Sequence, residues 1–337
     1  MPSDRPVFVV GCARSGSTLL QLMLHAHPRI AVPPETRFLI PAYKLREQFG
    51  DLRIEANRRQ LANFIVGRKR DKFADLGLKP KRIRRKIVQG PPTLGSAVGI
   101  VFREYAARWG KPRWGDKRPA YILDLDLLYR LFPDAQVLHI IRDGRDCVAS
   151  LKDMPWWHAG SVWAIHYWKA AMLAGAKARR QRRADAYAEV HYEALVNDPR
   201  AELTRICAFL GEDFDEAMLK PHELADEAVP GRKQHHARTH VAVDTAAIDR
   251  WTETLQSWEV ALMELVARRQ LHAQGYTLTL RRPCPPPAKV ASYVLHAGKH
   301  RLSGWWRRAQ DRVVSARYGR PVAAQLTQRQ RELARQP

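Results

Sequence analysis

The chain has 337 residues, enough for one large α/β domain or two small ones. Its 57 Lys and Arg against 34 Asp and Glu leave a net charge of +23, which favours anionic partners: a nucleotide, an acidic substrate, an anionic lipid surface or nucleic acid. No stretch is apolar for long enough to form a membrane span or a secretory leader, so a cytoplasmic location is expected.

In chain order, residues 7–24 (VFVVGCARSGSTLLQLML) predict a buried strand, a loop bracketed by Gly11 and Gly16, and a helix opening at Ser17-Thr18. Such a loop aims several backbone N–H groups and the positive end of a helix at one point. That is an anion site, with phosphate its usual occupant. The G-x4-G spacing matches a nucleotide P-loop, but Ser17 stands where that loop carries Lys, and the cation present is Arg14. Residues 35–49 predict a helix. Residues 52–107 predict helices broken at Pro80 and at Gly90-Pro91-Pro92, with a basic block, KPKRIRRK, at 79–86. Residues 121–132 have helical spacing before the Pro133-Asp134 turn.

Residues 136–150 (QVLHIIRDGRDCVAS) predict a second strand ending at Arg142, with Ser150 about two helical turns further on. An Arg and a Ser so arranged can hold a second phosphate. Asp143 and Asp146, flanking Arg145, read as caps of the helix after this strand. Residues 156–178 predict an aromatic-rich helix whose Trp163, Tyr167 and Trp168 are expected to face the core, a substrate platform being the alternative. A strand at 187–192 and helices at 198–210 and 246–274 follow, the last closed by Gly275. The four scattered cysteines are expected to be small buried hydrophobes, and no metal site is expected.

The composition changes at Arg281, where RRPCPPPAK reads as a linker. Two units are therefore expected, a domain at 1–282 and a proline linker with a basic Trp-containing tail at 283–337. Residues 290–317 set Tyr293, Leu295, Leu302, Trp305, Trp306, Val313 and Val314 among many Lys and Arg. Two readings stand: a helix on an anionic membrane surface, at the inner face of the membrane, or a tail packed on its own domain through the tryptophans. Two strands ending in phosphate-binding turns predict an α/β fold, a mainly parallel sheet flanked by helices, with ligands at the C-terminal strand ends.

GCARSGSTLL followed by IIRDGRDCVAS resembles the sulfotransferases that use 3′-phosphoadenosine 5′-phosphosulfate (PAPS). PETRFL at 34–39 resembles their segment with a catalytic Glu, notably in tyrosylprotein sulfotransferases and bacterial relatives. GDKRP at 115–119 resembles the segment with a Lys near the leaving group, and HYEAL at 191–195 and Gly275-Tyr276 also fall in place. The resemblance implies a P-loop NTPase-like sulfotransferase fold, PAPS as sulfuryl donor without a metal, and a hydroxyl or amine acceptor. It implies that Arg14, Ser15, Gly16, Ser17 and Thr18 hold the 5′-phosphosulfate, that Arg142 and Ser150 hold the 3′-phosphate, and that Tyr192 packs near the adenine. Glu35 is then the general base, Arg14 and Lys117 stabilise the leaving phosphate, and Arg37 orients Glu35 or the acceptor. Arg14 and Glu35 set the chain apart from cytosolic sulfotransferases, which commonly have a loop Lys and a His base, so His25, His27 and His139 are not expected as bases.

Two other classes compete. A basic nucleic-acid or membrane-binding protein would use KPKRIRRK, RRQRR at 179–183 and the tail, but it leaves the ordered motifs unexplained, and no nucleic-acid partner is expected. A P-loop kinase would need the missing loop Lys and a clear Mg²⁺-binding Asp.

Overall fold

The computed structural model describes residues 4–224 and 243–325. Among them, β1 (Val7–Gly11), β2 (Ile30–Ala31), β3 (Arg113–Lys117), β4 (Gln136–Ile141) and β5 (Tyr187–His191) form one parallel sheet in the order β2-β3-β1-β4-β5. The central strands β1 and β4 are buried along their whole length because both faces are covered. Side chains alternate between two cores. Phe8 and Val10 join Phe102, Trp114 and Phe132 on one face, where the rings of Phe102 and Trp114 stack at 5.3 Å. Val7 and Val9 join Leu20, Leu24, Leu203 and Ile206 on the other.

The connecting helices begin with α1 (Ser17–Ala26), α2 (Leu39–Lys44), α3 (Glu55–Gly67), α4 (Pro80–Gln89) and α5 (Leu94–Arg108). α6 (Leu125–Leu131), α7 (Gly144–Lys152), α8 (Gly160–Gln181), α9 (Tyr192–Asn197) and α10 (Pro199–Leu210) follow. The last are α11 (Trp251–Thr254), α12 (Ser257–Val266), α13 (Arg268–Ala273) and α14 (Pro287–Tyr318). Register positions the site. Val9 of β1 lies opposite Lys117 at the end of β3, and Gly11 lies opposite Ile140 near the end of β4. The loop leaving β1 is therefore flanked by Lys117 on one side and by Arg142, which follows β4, on the other.

Two expected helices and one expected cap differ. The helix expected over 35–49 starts only at Leu39 and gives way to a 3-10 turn at Arg46–Phe49. Upstream, the Arg37 N–H donates to the Asp71 carbonyl at 3.0 Å, and the Thr36 hydroxyl faces Asp116 at 3.5 Å. Tertiary partners thus hold this segment in place of a helical ladder. The expected 246–274 helix is broken into α11, α12 and α13, because Gln256 and Glu259 form a capping box that starts α12 afresh. Asp146 does not cap its own helix; it accepts the N–H groups of Asp249 and Trp251, both at 3.0 Å, and pins that segment. Asp143 is the expected cap, accepting from the Arg145 N–H at 2.8 Å. Cys12, Cys147 and Cys207 are buried as expected, whereas Cys284, in the proline segment, is exposed.

The prolines before α14 have no regular structure, and α14 lies back along α8. Its tyrosines, not its tryptophans, face the domain: Tyr293 and Tyr318 are buried, Trp305 and Trp306 exposed. Asp311 joins Arg46 at 2.8 Å and Arg130 at 2.7 Å. Beyond the helix, Val322 accepts from the Gly95 N–H and Ala324 donates to the Leu131 carbonyl. Residues 326–337 of the expected tail lie outside the described residues. No described helix is long and apolar enough to cross a membrane.

Candidate active site

The loop after β1 is shaped by its glycines. Gly16 sits at φ +89°, and a Cβ there would lie 2.4 Å from the Tyr192 ring, so only glycine fits. Ser15 closes the turn, its amide (3.3 Å) and hydroxyl (2.7 Å) both donating to the Cys12 carbonyl. It is fully buried and does not line the cleft, unlike Gly16, Ser17 and Thr18. No side chain caps α1 and no acid lies in its first turn, so the positive helix end is left to attract an anion.

Cations border this end. The Lys117 ammonium donates to the Thr18 hydroxyl at 3.3 Å. The Arg14 guanidinium donates through Nε to the Ser150 hydroxyl at 3.0 Å, so its hydrogen bond runs to the expected second-phosphate side and not to Lys117. Arg142 is 6 % exposed; it donates to the Arg14 carbonyl at 3.2 Å and to that of Ala247, and stacks on the Tyr192 ring at 4.8 Å. Asp146 approaches it at 3.6 Å, but the buried Arg142 Nε has no partner among the described residues. A buried guanidinium N–H left open beside an open helix end suits an incoming anion.

All of these groups except Ser15 line one cleft of about 990 Å³. Glu35 and Arg37 stand at its edge, joined at 3.3 Å. Burial alone would raise the Glu35 carboxyl, but the charges of Lys117, Lys72, Arg37 and Arg118 together hold it below the ordinary value. Burial pulls the Lys117 ammonium down, and Glu35 and Asp116 oppose this. Burial likewise lowers Arg14, with Arg142 adding to the effect.

The sequence reading passed over several residues. Asp116 is fully buried behind Lys117, accepting from the Tyr121 hydroxyl at 2.8 Å and the Lys117 N–H at 2.9 Å. Through Thr36 it ties the Glu35 loop to β3, and burial pushes its carboxyl up to about 7. An acid inside a short strand was the available signal. Glu193 accepts from the Asp143 N–H at 2.9 Å and the Tyr276 hydroxyl at 3.1 Å, so HYEAL and Gly275-Tyr276 brace the turn that presents Arg142. The aromatic stripe of α8 divides: Trp168 is core, as expected, whereas Trp163 and Tyr167 line the cleft with Trp156 and Trp157. The three histidines lie outside the cleft: His25 and His139 are each lowered to about 3, chiefly by burial, and His27 bonds the Asp213 carbonyl.

Comparison with known proteins identifies the family and the fold. The chain is 27% identical over 279 residues to protein-tyrosine sulfotransferase A of Caenorhabditis elegans, covering 80% of this chain and 67% of that one. The sulfotransferase domain of the Synechococcus PCC 7002 olefin synthase superposes with a TM-score of 0.55 at 27% identity, covering 82% of this chain and 96% of the domain. The sulfotransferase domain of the curacin biosynthetic pathway shares the fold, with a TM-score of 0.57 at 22% identity over 82% of this chain and all of that one. A profile described as "Sulfotransferase family" matches residues 6–216, more than half of the sequence, and the chain belongs to that family.

Proposed function

We propose that the enzyme transfers a sulfuryl group from PAPS to a hydroxyl acceptor and releases adenosine 3′,5′-bisphosphate. The observation that carries this reading is a carboxylate, Glu35, kept ionised by surrounding cations at the edge of the cleft into which an uncapped helix and Lys117 face. PAPS, when bound, supplies the sulfuryl group and a phosphate leaving group. The amides opening α1, Thr18 and Lys117 hold the 5′ anion and offer positive charge to the leaving oxygen. Arg142, whose Nε has no partner among the described residues, and Ser150 hold the second phosphate, with Arg14 fixing the Ser150 hydroxyl between the two positions. Tyr192 backs Arg142 and Gly16 beside the nucleoside. Glu35 accepts the proton of the acceptor hydroxyl at a carboxylate oxygen as the new O–S bond forms. Arg37 orients Glu35 through their ion pair. No metal enters these roles.

The acceptor favoured by this cleft is an aromatic hydroxyl. Trp156, Trp157, Trp163 and Tyr167 offer a wall for a flat ring, and Lys72 and Arg118 favour acid groups around it. The activity in the name of the Caenorhabditis elegans relative, on protein tyrosine, supports the same reading.

Titration calorimetry with adenosine 3′,5′-bisphosphate and with AMP tests the donor site. The bisphosphate is expected to bind more tightly by about 1.5–3 kcal/mol, the value of a charge-assisted hydrogen bond. Arg142→Met should erase most of that difference. Equal affinities in the parent protein would overturn the second phosphate position.

A further inference from the structure

The outer face of α14 is not used by the cleft or by the fold. Winding at 3.6 residues per turn puts Val294, Leu295, Leu302, Trp305, Trp306 and Val313 within one arc of about 120°. Each is at least half exposed, Leu295 by 64% and Trp306 by 63%. The opposite face, through Tyr293, Asp311 and Tyr318, is the one packed on the domain. Arg301, Arg308 and Arg312 border the apolar arc on one side and Lys299 and Arg317 on the other, all exposed. Asp311, the one acid of the helix, is turned away to Arg46 and Arg130. The outer surface is thus an apolar strip with cations along both edges and no anion.

We propose that this face seats the protein on an anionic lipid bilayer surface. Tryptophans and aliphatic side chains enter the boundary between headgroups and acyl chains, while flanking Arg and Lys reach the phosphates. Charge selects this occupant. A second copy would bring the same cationic edges against each other, on a chain that already carries a net charge of +23. Single-stranded nucleic acid could stack on the tryptophans, but leucine and valine offer it no such platform. Trp163 of the cleft wall packs on His296 and His300 of the same helix, at 6.1 and 5.7 Å between rings. A seated α14 therefore holds the cleft beside the bilayer.

The test is sedimentation of the full chain with phosphatidylcholine vesicles, with and without phosphatidylglycerol. Binding is expected only with the anionic lipid, and rising salt should weaken it, each engaged Lys or Arg being worth roughly fivefold in affinity. The double variant Leu302→Glu, Trp306→Glu should lose vesicle binding while keeping its affinity for adenosine 3′,5′-bisphosphate, which reports the fold. A second measurement does not depend on that variant folding: brominated lipid in anionic vesicles should quench emission of the parent protein, and Trp305→Phe, Trp306→Phe should remove that quenching. Failure of the parent to bind anionic vesicles at low salt overturns the proposal. So does equal binding by the glutamate variant, which would assign the affinity to diffuse charge, or a dimer in solution that this variant dissolves, which would assign the face to a second copy.

Discussion

Strand β3 carries a buried cation at each end, and the two are treated differently. At its start, Arg113 is fully buried and closed: it donates to the carbonyls of Arg5 and Leu210, both at 2.8 Å, to Glu212 at 3.0 Å and to the Gln136 side chain. At its end, Lys117 meets one hydroxyl at 3.3 Å, and across β1 the Arg142 Nε has no partner among the described residues. Both ends remove positive charge from water, which is costly without compensation. At the N-terminal edge the protein supplies the hydrogen-bond partners itself, although burial still outweighs Glu212 and lowers the guanidinium to about 10. At the C-terminal edge the described residues leave the compensation incomplete, as the proposed anion site requires. Completeness of pairing, more than burial, separates a cation of the scaffold from a cation of the site.

The sharpest test of the open end is Glu35→Gln. Removing a general base should lower turnover by about 10²–10⁴-fold. Affinity for adenosine 3′,5′-bisphosphate should hold or rise, since a negative charge near Lys117 is lost. A variant with full turnover on an acceptor of unperturbed hydroxyl acidity would remove Glu35 from the chemistry. The closed end should respond in the opposite way. Arg113→Met leaves the buried Glu212 with Arg29 at 2.9 Å as its one remaining ion-pair partner among the described residues, so stability should fall by about 3 kcal/mol. Urea unfolding should show this as a lower midpoint at unchanged slope. Bisphosphate affinity of the folded protein should not move; if it does, the two ends are coupled and the contrast fails.

Much of this was legible in the sequence. A strand, a glycine loop and a helix are contiguous, and so are the strand before Arg142 and the helix carrying Ser150, so local pattern sufficed for the parallel sheet and for Arg14, Gly16, Ser17, Thr18, Arg142 and Ser150, whereas Glu35, Lys117 and Tyr192 came through the family resemblance and strands β2 and β3 were not expected. What escaped depends on contacts between distant segments. Asp116 matters because Thr36 and Tyr121 fold onto it, and no spacing announces that. Trp163, Tyr167 and Trp168 share one helix, yet only Trp168 is core; an apolar stripe looks the same facing a core or a cleft. Arg113 and Arg142 are both arginines at strand ends, and only their partners distinguish them. Ser15 matched its motif, but its amide and hydroxyl are engaged by Cys12, a detail of loop closure. In the tail, composition singled out the tryptophans, whereas the packing partners on the domain, Arg46 and Arg130, favoured a face carrying Asp311 and tyrosines.

The smallest expected effect bears on Lys117 alone. Burial lowers its ammonium from the ordinary 10.5, against the opposing pull of Glu35 and Asp116. A lowered lysine loses its charge earlier as pH rises. Affinity for adenosine 3′,5′-bisphosphate should therefore begin to fall at a pH below the ordinary lysine value, because the phosphates are already fully ionised there and only the protein charge changes. Bound phosphate favours the charged ammonium and raises its pKa, so the fall should level off once pH exceeds the value in the complex. Lys117→Arg separates this from other titrations. Arginine stays charged throughout, so the alkaline fall should disappear even if altered geometry weakens binding at neutral pH. Calorimetry from neutral to alkaline pH on both proteins is the measurement. An alkaline fall of equal size in the variant would assign the titration to another group and place Lys117 with the closed cations.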